Sequence, residues 1–421
     1  MKSLLKILTV LCCICLLNTC EDTKQSGDKP SPIVQYEVTP IPGGATIAYI
    51  IPDDPSILYV MAEYERNGQT FVERSSTHKN SLTIVGFNTL DPVDVTIFSV
   101  SRNSEIKSDP LDLKFTPLES PIKLIRKSAE VKSHFGGIIV VWNNPTKTEV
   151  GVRLMVKEEG INVEKAMYFS TSESERRPFR GFECEEASFS LTFEDKWGNI
   201  SDTLFFKGIP LFEIEVEKPW VDMRQMIPHD NTTEHSAPYA FTKLYDGSIG
   251  WLQSYLTQYG SSGSSFTVDI KEVVKLSRFA WWPLCDYRWG VFEGVYGQVV
   301  PHVVEMWGTK AIDPSKLANR DYWLDDFSAP KGTVIPDITF KDDWVYLGRH
   351  QIERLDLKGA TEDEIRAQGE AGFEFEIDDQ CEPVRFIRVF VRSNAEGSPP
   401  PNNYYQINEM SFWGDNTGPQ D

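Results

Sequence analysis

The stretch Gly43-Gly44-Ala45-Thr46-Ile47-Ala48-Tyr49-Ile50-Ile51-Pro52 decides the fold class. β-Branched and aromatic residues run between a Gly-Gly turn and a Pro, the pattern of a short strand bounded by breakers. Leu58 to Tyr64 is a second such run, and Gly, Pro, Asn and Asp punctuate what lies between and beyond. The same arrangement then returns. Gly136-Gly137, a strand and Pro145 repeat the quoted stretch; Gly68 returns as Gly160, Gly86-Phe87 as Gly181-Phe182, and Ser108-Asp109 as Ser201-Asp202. The paired numbers differ by 92 to 95, the drift that loop insertions give in one fold used twice.

A unit of this length, with strands of a few residues and turns every ~8–12 residues, reads as a small β-sandwich. The first unit, 33–118, resembles a fibronectin type III domain: a Pro-containing first strand precedes the Gly-Gly turn. The second, 119–214, shares that skeleton. Both resemble the stacked modules of surface lipoproteins from glycan-uptake loci. Trp142 and Trp197 read as packing residues rather than ligand platforms. Residues 215–235, with Pro219, Pro228 and an Asp-Asn-Thr-Thr-Glu run, read as a linker.

Upstream of the repeat, Lys2 and Lys6 precede an apolar run from Ile7 to Leu17. That length suits a signal core of ~7–15 residues and falls short of the ~20 needed to span a bilayer. Leu17-Asn18-Thr19-Cys20 resembles the bacterial lipobox, which implies a signal peptide of residues 1–19 and lipidation at Cys20. Asn18 and Thr19 depart from that motif, and a plain secretory signal is the alternative. Residues 20–32 read as a flexible leader. Glu21 and Asp22 resemble the acidic cue that sends lipoproteins of Bacteroidota-type bacteria to the outer cell surface. The implied location is the outer membrane, lipid-anchored and exposed.

Composition narrows the partners. The formal charge of −20 argues against nucleic acid, whose phosphates need clustered Lys and Arg. Of seven Cys only Cys184, Cys285 and Cys381 lie beyond Cys20, widely spaced and without CxxC. Buried free thiols are expected, with a Cys285–Cys381 bridge as the alternative. Nine of the eleven Trp follow Glu215, which sets the C-terminal part apart.

Residues 236–416 read as a larger all-β domain, followed by a tail, 417–421. Phe266 to Ile270, Leu276 to Trp282, His302 to Trp307, Phe373 to Ile377 and Arg385 to Val391 read as strands. Thr361-Glu362-Asp363-Glu364 is a capping box, and Gly369 suits a C-terminal cap, predicting a helix over 362–368. The order of motifs resembles a discoidin-like domain. Asp246-Gly247 before Trp251, Phe266 to Ile270, Lys275 to Phe279, Glu305 to Thr309, Val384 to Arg388 and Ile407 to Gly414 carry the resemblance. It implies a galactose-binding-like jelly roll whose ligands sit in loops at one end. The fold class expected is therefore all-β: two tandem fibronectin-like sandwiches followed by a discoidin-like sandwich. The resemblance also implies structural calcium near Asp246 and Glu409. Ser248 stands where the turn's second acid belongs, and hard cations want several carboxylates, so no metal or cofactor is expected.

Sugars are met by aromatic planes together with Asp, Asn and Arg for the hydroxyls. The segment from Trp281 to Tyr296 is dense in both. Trp281 reads as core. Trp282, Tyr287, Trp289 and Tyr296 are the candidate platform, with Asp286 and Arg288 as hydrogen-bonding partners; Trp344 and Tyr346 form a second-rank set. No HEXXH, GxSxG, P-loop or Rossmann pattern occurs. His229-Asp230 and the adjacent acid pairs read as solvated turns. The leading expectation is a non-enzymatic surface lipoprotein of a Sus-like locus, holding glycan beside an outer-membrane transporter of the SusC/SusD type. An adhesin for a host or neighbour protein and a divergent glycan-degrading enzyme are the alternatives.

Overall fold

The computed structural model describes residues 29–102, 106–230, 233–250, 252–258, 265–297, 299–327, 329, 331–394 and 404–420. The signal segment, Cys20, most of the leader, Trp251 and the Trp289 side chain lie outside the described residues. The chain is all-β and built of sandwiches. In the first, one sheet orders Tyr36–Ile41, Gly44–Tyr49 and Ser81–Val85; the other orders Gln69–Ser76, Ile57–Arg66, Val93–Ser101 and Leu111–Phe115. Val93, Val95 and Ile97 are buried while Asp94 is exposed, the period of two expected of a strand with one wet face.

The second sandwich repeats this order strand for strand. Glu130–His134, Gly137–Asn143 and Ser174–Arg180 form one sheet; Ile161–Ser170, Val150–Glu158, Ala187–Asp195 and Leu204–Gly208 form the other. The repeat extends to single hydrogen bonds. Gly43 donates to the Leu118 carbonyl at 3.0 Å and accepts from Phe87 N at 3.0 Å. Gly136 donates to Leu211 at 2.9 Å and accepts from Phe182 at 3.0 Å. Both glycines have φ above +60°, where a Cβ is strained, so the turn needs Gly twice. Ser108 Oγ and Ser201 Oγ likewise accept the Ser99 and Phe193 amides, each at 3.0 Å. Trp142 is fully buried, edge-on to Phe193 at 6.0 Å.

Two compact units emerge. Of the described residues, one holds those up to Lys132 with Ile139–Phe179 and Glu186–Gly208; the other holds Ser133–Ile138, Arg180–Glu185 and those from Ile209 onward. The second unit is organised by one long strand, Ser265–Trp282. Its first half pairs with Val221–Asp222 and with Val384–Asn394, which continues to Pro301–Thr309 and Val345–Gln351. Its second half pairs with Glu409–Asp415 and Phe373–Glu376. The change of partners falls at an irregularity between Asp269 and Val274, where Lys271 has φ +72° and its amide donates to Asp269 at 2.7 Å. Such a bulge lets a strand serve two sheets.

Several expectations are corrected. Residues 215–235 are no linker: Val216, Trp220, Met223 and Ile227 are buried, Val216 and Trp220 in the main core of this unit. Two-residue strands are too short to leave a pattern. Asp230 is not in a solvated turn; it is 3% exposed and takes hydrogen bonds from Ser265 Oγ at 2.8 Å and Arg388 Nε at 3.0 Å. Asp325 is equally buried and is held by Arg392 and Lys341. The capping box forms, Thr361 N donating to Glu364 at 2.7 Å, but the helix runs Glu362–Ala371 and ends at Gly372. Gly369 lies inside it, and glycine is needed there for packing rather than as a cap, since a Cβ would come 2.7 Å from Val295. Cys184, Cys285 and Cys381 are free, and Cys184 is exposed rather than buried. Trp344 is buried beside Trp323 and Phe340, and Tyr346 is exposed.

Candidate functional site

The aromatic segment leaves the long strand at Trp282 and turns back through two short helical pieces. Asp286 starts the first, Tyr287–Trp289, by accepting the Arg288 amide at 3.2 Å. Its carboxylate also receives Arg288 Nε at 2.9 Å, closing a fork between guanidinium and carboxylate. The second piece, Val291–Tyr296, buries Val291, Val295 and Tyr296 and presents Glu293 to solvent. Gly294 and Gly297 let this helix close in: a Cβ on Gly294 would meet the Leu284 carbonyl at 2.8 Å, and one on Gly297 the Glu293 carbonyl at 2.3 Å.

A cavity of about 270 Å³ opens there. Asp286, Arg288 and Glu293 line it from this segment, Tyr239 from the 3₁₀ turn Ala237–Tyr239, and Tyr404 and Gln406 from the approach to the closing strand. Leu256, Leu284 and Val299 make the apolar wall. The pairing of Tyr255–Leu256 with Gln406–Ile407 draws these distant stretches together. Gln406 is fixed in turn: its amide donates to the Val299 carbonyl at 2.7 Å and its Nε2 to Ser254 Oγ at 2.6 Å.

Of the six residues expected to bind ligand, Asp286 and Arg288 line the cavity. Tyr296 does not: it is 1% exposed, tilted against Phe373 at 6.4 Å, with its hydroxyl accepting Leu355 N at 3.0 Å. Tyr287 is half-buried under the Arg366 guanidinium, 4.4 Å from its ring centroid, and its hydroxyl donates to the Arg366 carbonyl at 3.3 Å. Trp282 packs against the turn at Gly372, where a Cβ would meet its ring at 2.7 Å. The Trp289 indole lies outside the described side chains. Tyr239, Tyr404 and Glu293 were missed. Glu293 sits in the segment singled out; the two tyrosines are far from it in sequence, and nothing local marks them.

The lining offers a carboxylate, a guanidinium and two phenol rings. The Arg288 guanidinium holds the Asp286 carboxyl below the usual carboxylate range, so it accepts hydrogen bonds rather than donating a proton. Burial pushes the neighbouring Cys285 thiol up to about 11, and its Sγ donates to the Gly369 carbonyl at 3.0 Å, so it is not a thiolate nucleophile. A larger groove of about 850 Å³ is lined mainly by the first sandwich, with Asn199 from the second. Its rings, Tyr64 and Phe87, are buried, and Glu63 and Asp94 are tied to Lys107 and Lys114. It lacks the open combination of ring and polar fork, and the smaller cavity is the better candidate.

Asp246 and Glu409 do not fit a calcium ion. Lys243 Nζ donates to Asp246 at 2.7 Å, and Lys218 Nζ is bonded to Glu409. Among the described residues no group of three or more His, Cys, Asp and Glu is placed to hold a metal.

Three family models match consecutive parts of the chain, each described as a domain of unknown function: DUF4959 over residues 30–117, DUF5126 over 118–219 and DUF5000 over 245–414. No curated protein matches. Among solved structures, a SusE-like protein is 19% identical over 70% of this chain and 98% of its own, with a TM-score of 0.36. A family 89 glycoside hydrolase from Clostridium perfringens is 10% identical over 49% of this chain, which spans 15% of the hydrolase, with a TM-score of 0.27. A two-domain fibronectin type III segment of chicken tenascin is 14% identical over 43% of this chain and 99% of its own, with a TM-score of 0.21. At such scores the likenesses carry no argument, and the sandwich assignment stands on the chain's own strand order.

Proposed function

We propose that this chain is a non-catalytic glycan-binding lipoprotein of the cell surface, holding saccharide beside an outer-membrane uptake complex of the SusC/SusD type. The cavity at Asp286 and Arg288 carries the reading. Two tyrosine rings, an aliphatic wall and a fixed guanidinium–carboxylate fork meet in it, the set a sugar's C–H face and hydroxyls require. Its volume of about 270 Å³ sits just under the ~300–1,000 Å³ of small-ligand pockets, room for one ring rather than a wrapped chain. The N-terminal segment supports the tether, and the net charge of −20 supports a partner that is not a polyanion.

The two most exposed rings among the described residues do not favour an adhesin. Phe169 and Phe205 are 59% and 76% exposed, but they lie on the two opposite edge strands of one sheet. Two strands separate them, roughly 14 Å at the usual spacing, with the Arg153–Glu194 pair on strands between. That is not a contiguous apolar patch.

A glycan array with the purified protein tests the reading. Binding to at least one glycan is expected, weakened about tenfold or more by Tyr404→Ala and by Asp286→Ala. Retention of no glycan on a broad panel would sink it. Membrane fractionation tests the tether: Cys20→Ala should move the protein to the soluble fraction, and unchanged membrane association would reject lipidation there.

A further inference from the structure

The carboxylates that would have to hold calcium are already neutralised, and the way this is done is informative. Lys218 comes from the stretch that enters the C-terminal domain, just after the strand pair Ile214–Glu215 with Trp413–Gly414. Its side chain is 21% exposed, and the ammonium points at the base of the closing strand. An ammonium has three N–H donors and no acceptor. Three oxygens meet it there: Glu409 Oε1, Ser411 Oγ at 2.8 Å and Glu215 Oε1 at 3.3 Å. The Ser411 hydroxyl donates its hydrogen bond to Glu215 at 2.7 Å, which leaves its lone pairs to the lysine.

Glu409 is 6% exposed and works in two directions. Oε1 faces Lys218, while Oε2 accepts the Gly247 amide at 3.0 Å. The turn at Asp246-Gly247 is thereby tied to the closing strand through a carboxylate whose charge Lys218 balances. Next to it Asn408 Nδ2 donates to the Gly250 carbonyl at 2.9 Å. Lys243 braces the other side of the turn, bonded to Asp246 at 2.7 Å and to Gln253 at 2.6 Å. From this turn the chain runs to Leu256, in the wall of the candidate ligand cavity.

We infer that the Lys218 ammonium is a built-in substitute for a divalent cation: it fixes the Asp246-Gly247 turn to the closing strand, so that the domain is independent of metal. A buried carboxylate left without a counter-charge is strongly destabilising, whichever cation supplies it. Without Lys218 the same site presents Glu409, Glu215 and Ser411 oxygens facing one point, with Asp246 across the turn. Oxygen donors of this kind suit calcium.

The test uses thermal unfolding of the whole protein, followed by Trp fluorescence, because nine of the eleven Trp follow Glu215. With calcium chloride or with EDTA the unaltered protein should unfold within about 1 °C of the same midpoint, and calorimetric titration should show no calcium binding. Lys218→Met in EDTA should lower the midpoint by about 5–10 °C. Calcium should restore part of that loss, and Lys218→Arg should keep most of the stability without metal. A rise in the midpoint of the unaltered protein with calcium would overturn the inference, as would an unchanged Lys218→Met. Failure of calcium to help Lys218→Met would also overturn it, reducing Lys218 to an ordinary ion pair. Should Lys218→Met not fold, the titration of the unaltered protein and the Lys218→Arg midpoint still decide.

Discussion

The first sandwich and the C-terminal domain bury their interiors by different means. The first packs Ile47, Val60, Ile84, Ile97 and their neighbours into an apolar and aromatic core, and the polar side chains it buries, such as Ser75, Ser99 and Ser108, are uncharged. The C-terminal domain has a comparable apolar core, but the other face of its central strand Val384–Asn394 buries two guanidinium groups. Arg388 is fully buried over Phe340 at 4.4 Å and bonded to Asp230; Arg392 is bonded to both Glu305 and Asp325. The difference teaches where each domain is vulnerable. An apolar core loses stability in proportion to the atoms removed. A buried ion pair adds little net stability when whole, yet breaking it strands a charge.

Arg388→Ala is expected to have the largest effect. It leaves Asp230, 3% exposed, without its counter-ion and should cost about 3–5 kcal/mol in the Trp fluorescence transition. A loss under 1 kcal/mol would mean that the guanidinium is not a load on the fold and would erase the contrast. Ile47→Ala in the first sandwich comes next, at about 2–4 kcal/mol. Its mark should appear in far-UV circular dichroism and leave most of the Trp signal in place, since nine of the eleven Trp follow Glu215. Movement of both transitions together would merge the two regions into one cooperative system.

Acid should sharpen the contrast with a smaller effect. Despite its burial, Arg392 and Lys341 hold the Asp325 carboxyl well below the usual carboxylate range; Arg392 holds Glu305 down as well. A depressed folded pKa adds stability that is present above the unfolded value and is lost as pH falls through the folded one. The C-terminal transition should therefore weaken below about pH 4, by about 2 kcal/mol. Among the described residues no Asp or Glu of the first sandwich is buried, so it should supply no matching loss. Equal acid sensitivity in both transitions would break the argument. The smallest effect belongs to Thr361→Ala, which removes the cap that accepts the Glu364 amide at 3.3 Å and should cost about 1 kcal/mol of the C-terminal transition alone.

What could be read from the chain follows the range of each interaction. The repeat was legible because its turns need Gly at fixed places, and Gly43 and Gly136 carry the same two hydrogen bonds. The capping box was legible because its partners are three residues apart. The cavity was half legible. Asp286 and Arg288 sit close together in a conspicuous segment, whereas Tyr239 and Tyr404 join them only through the pairing of Leu256 with Gln406. Aromatic density was an ambiguous signal. Tyr296 has the composition of a platform and the burial of a core residue, because the short helix turns it inward. Asp230 and Arg388 are 158 positions apart, and no local pattern announces such a pair.

The strand Ser265–Trp282 has a consequence for how this domain can open. Its first residues bond to one sheet and its last to the other, without a break in the chain between them. Fluctuations that expose amides spread through elements that share hydrogen bonds. Neither sheet can then fray alone without pulling on its partner through the same backbone. Hydrogen exchange in the two paired stretches of this eighteen-residue strand, on either side of the bulge, should accordingly be slow and similar, the signature of a domain that opens as a single event.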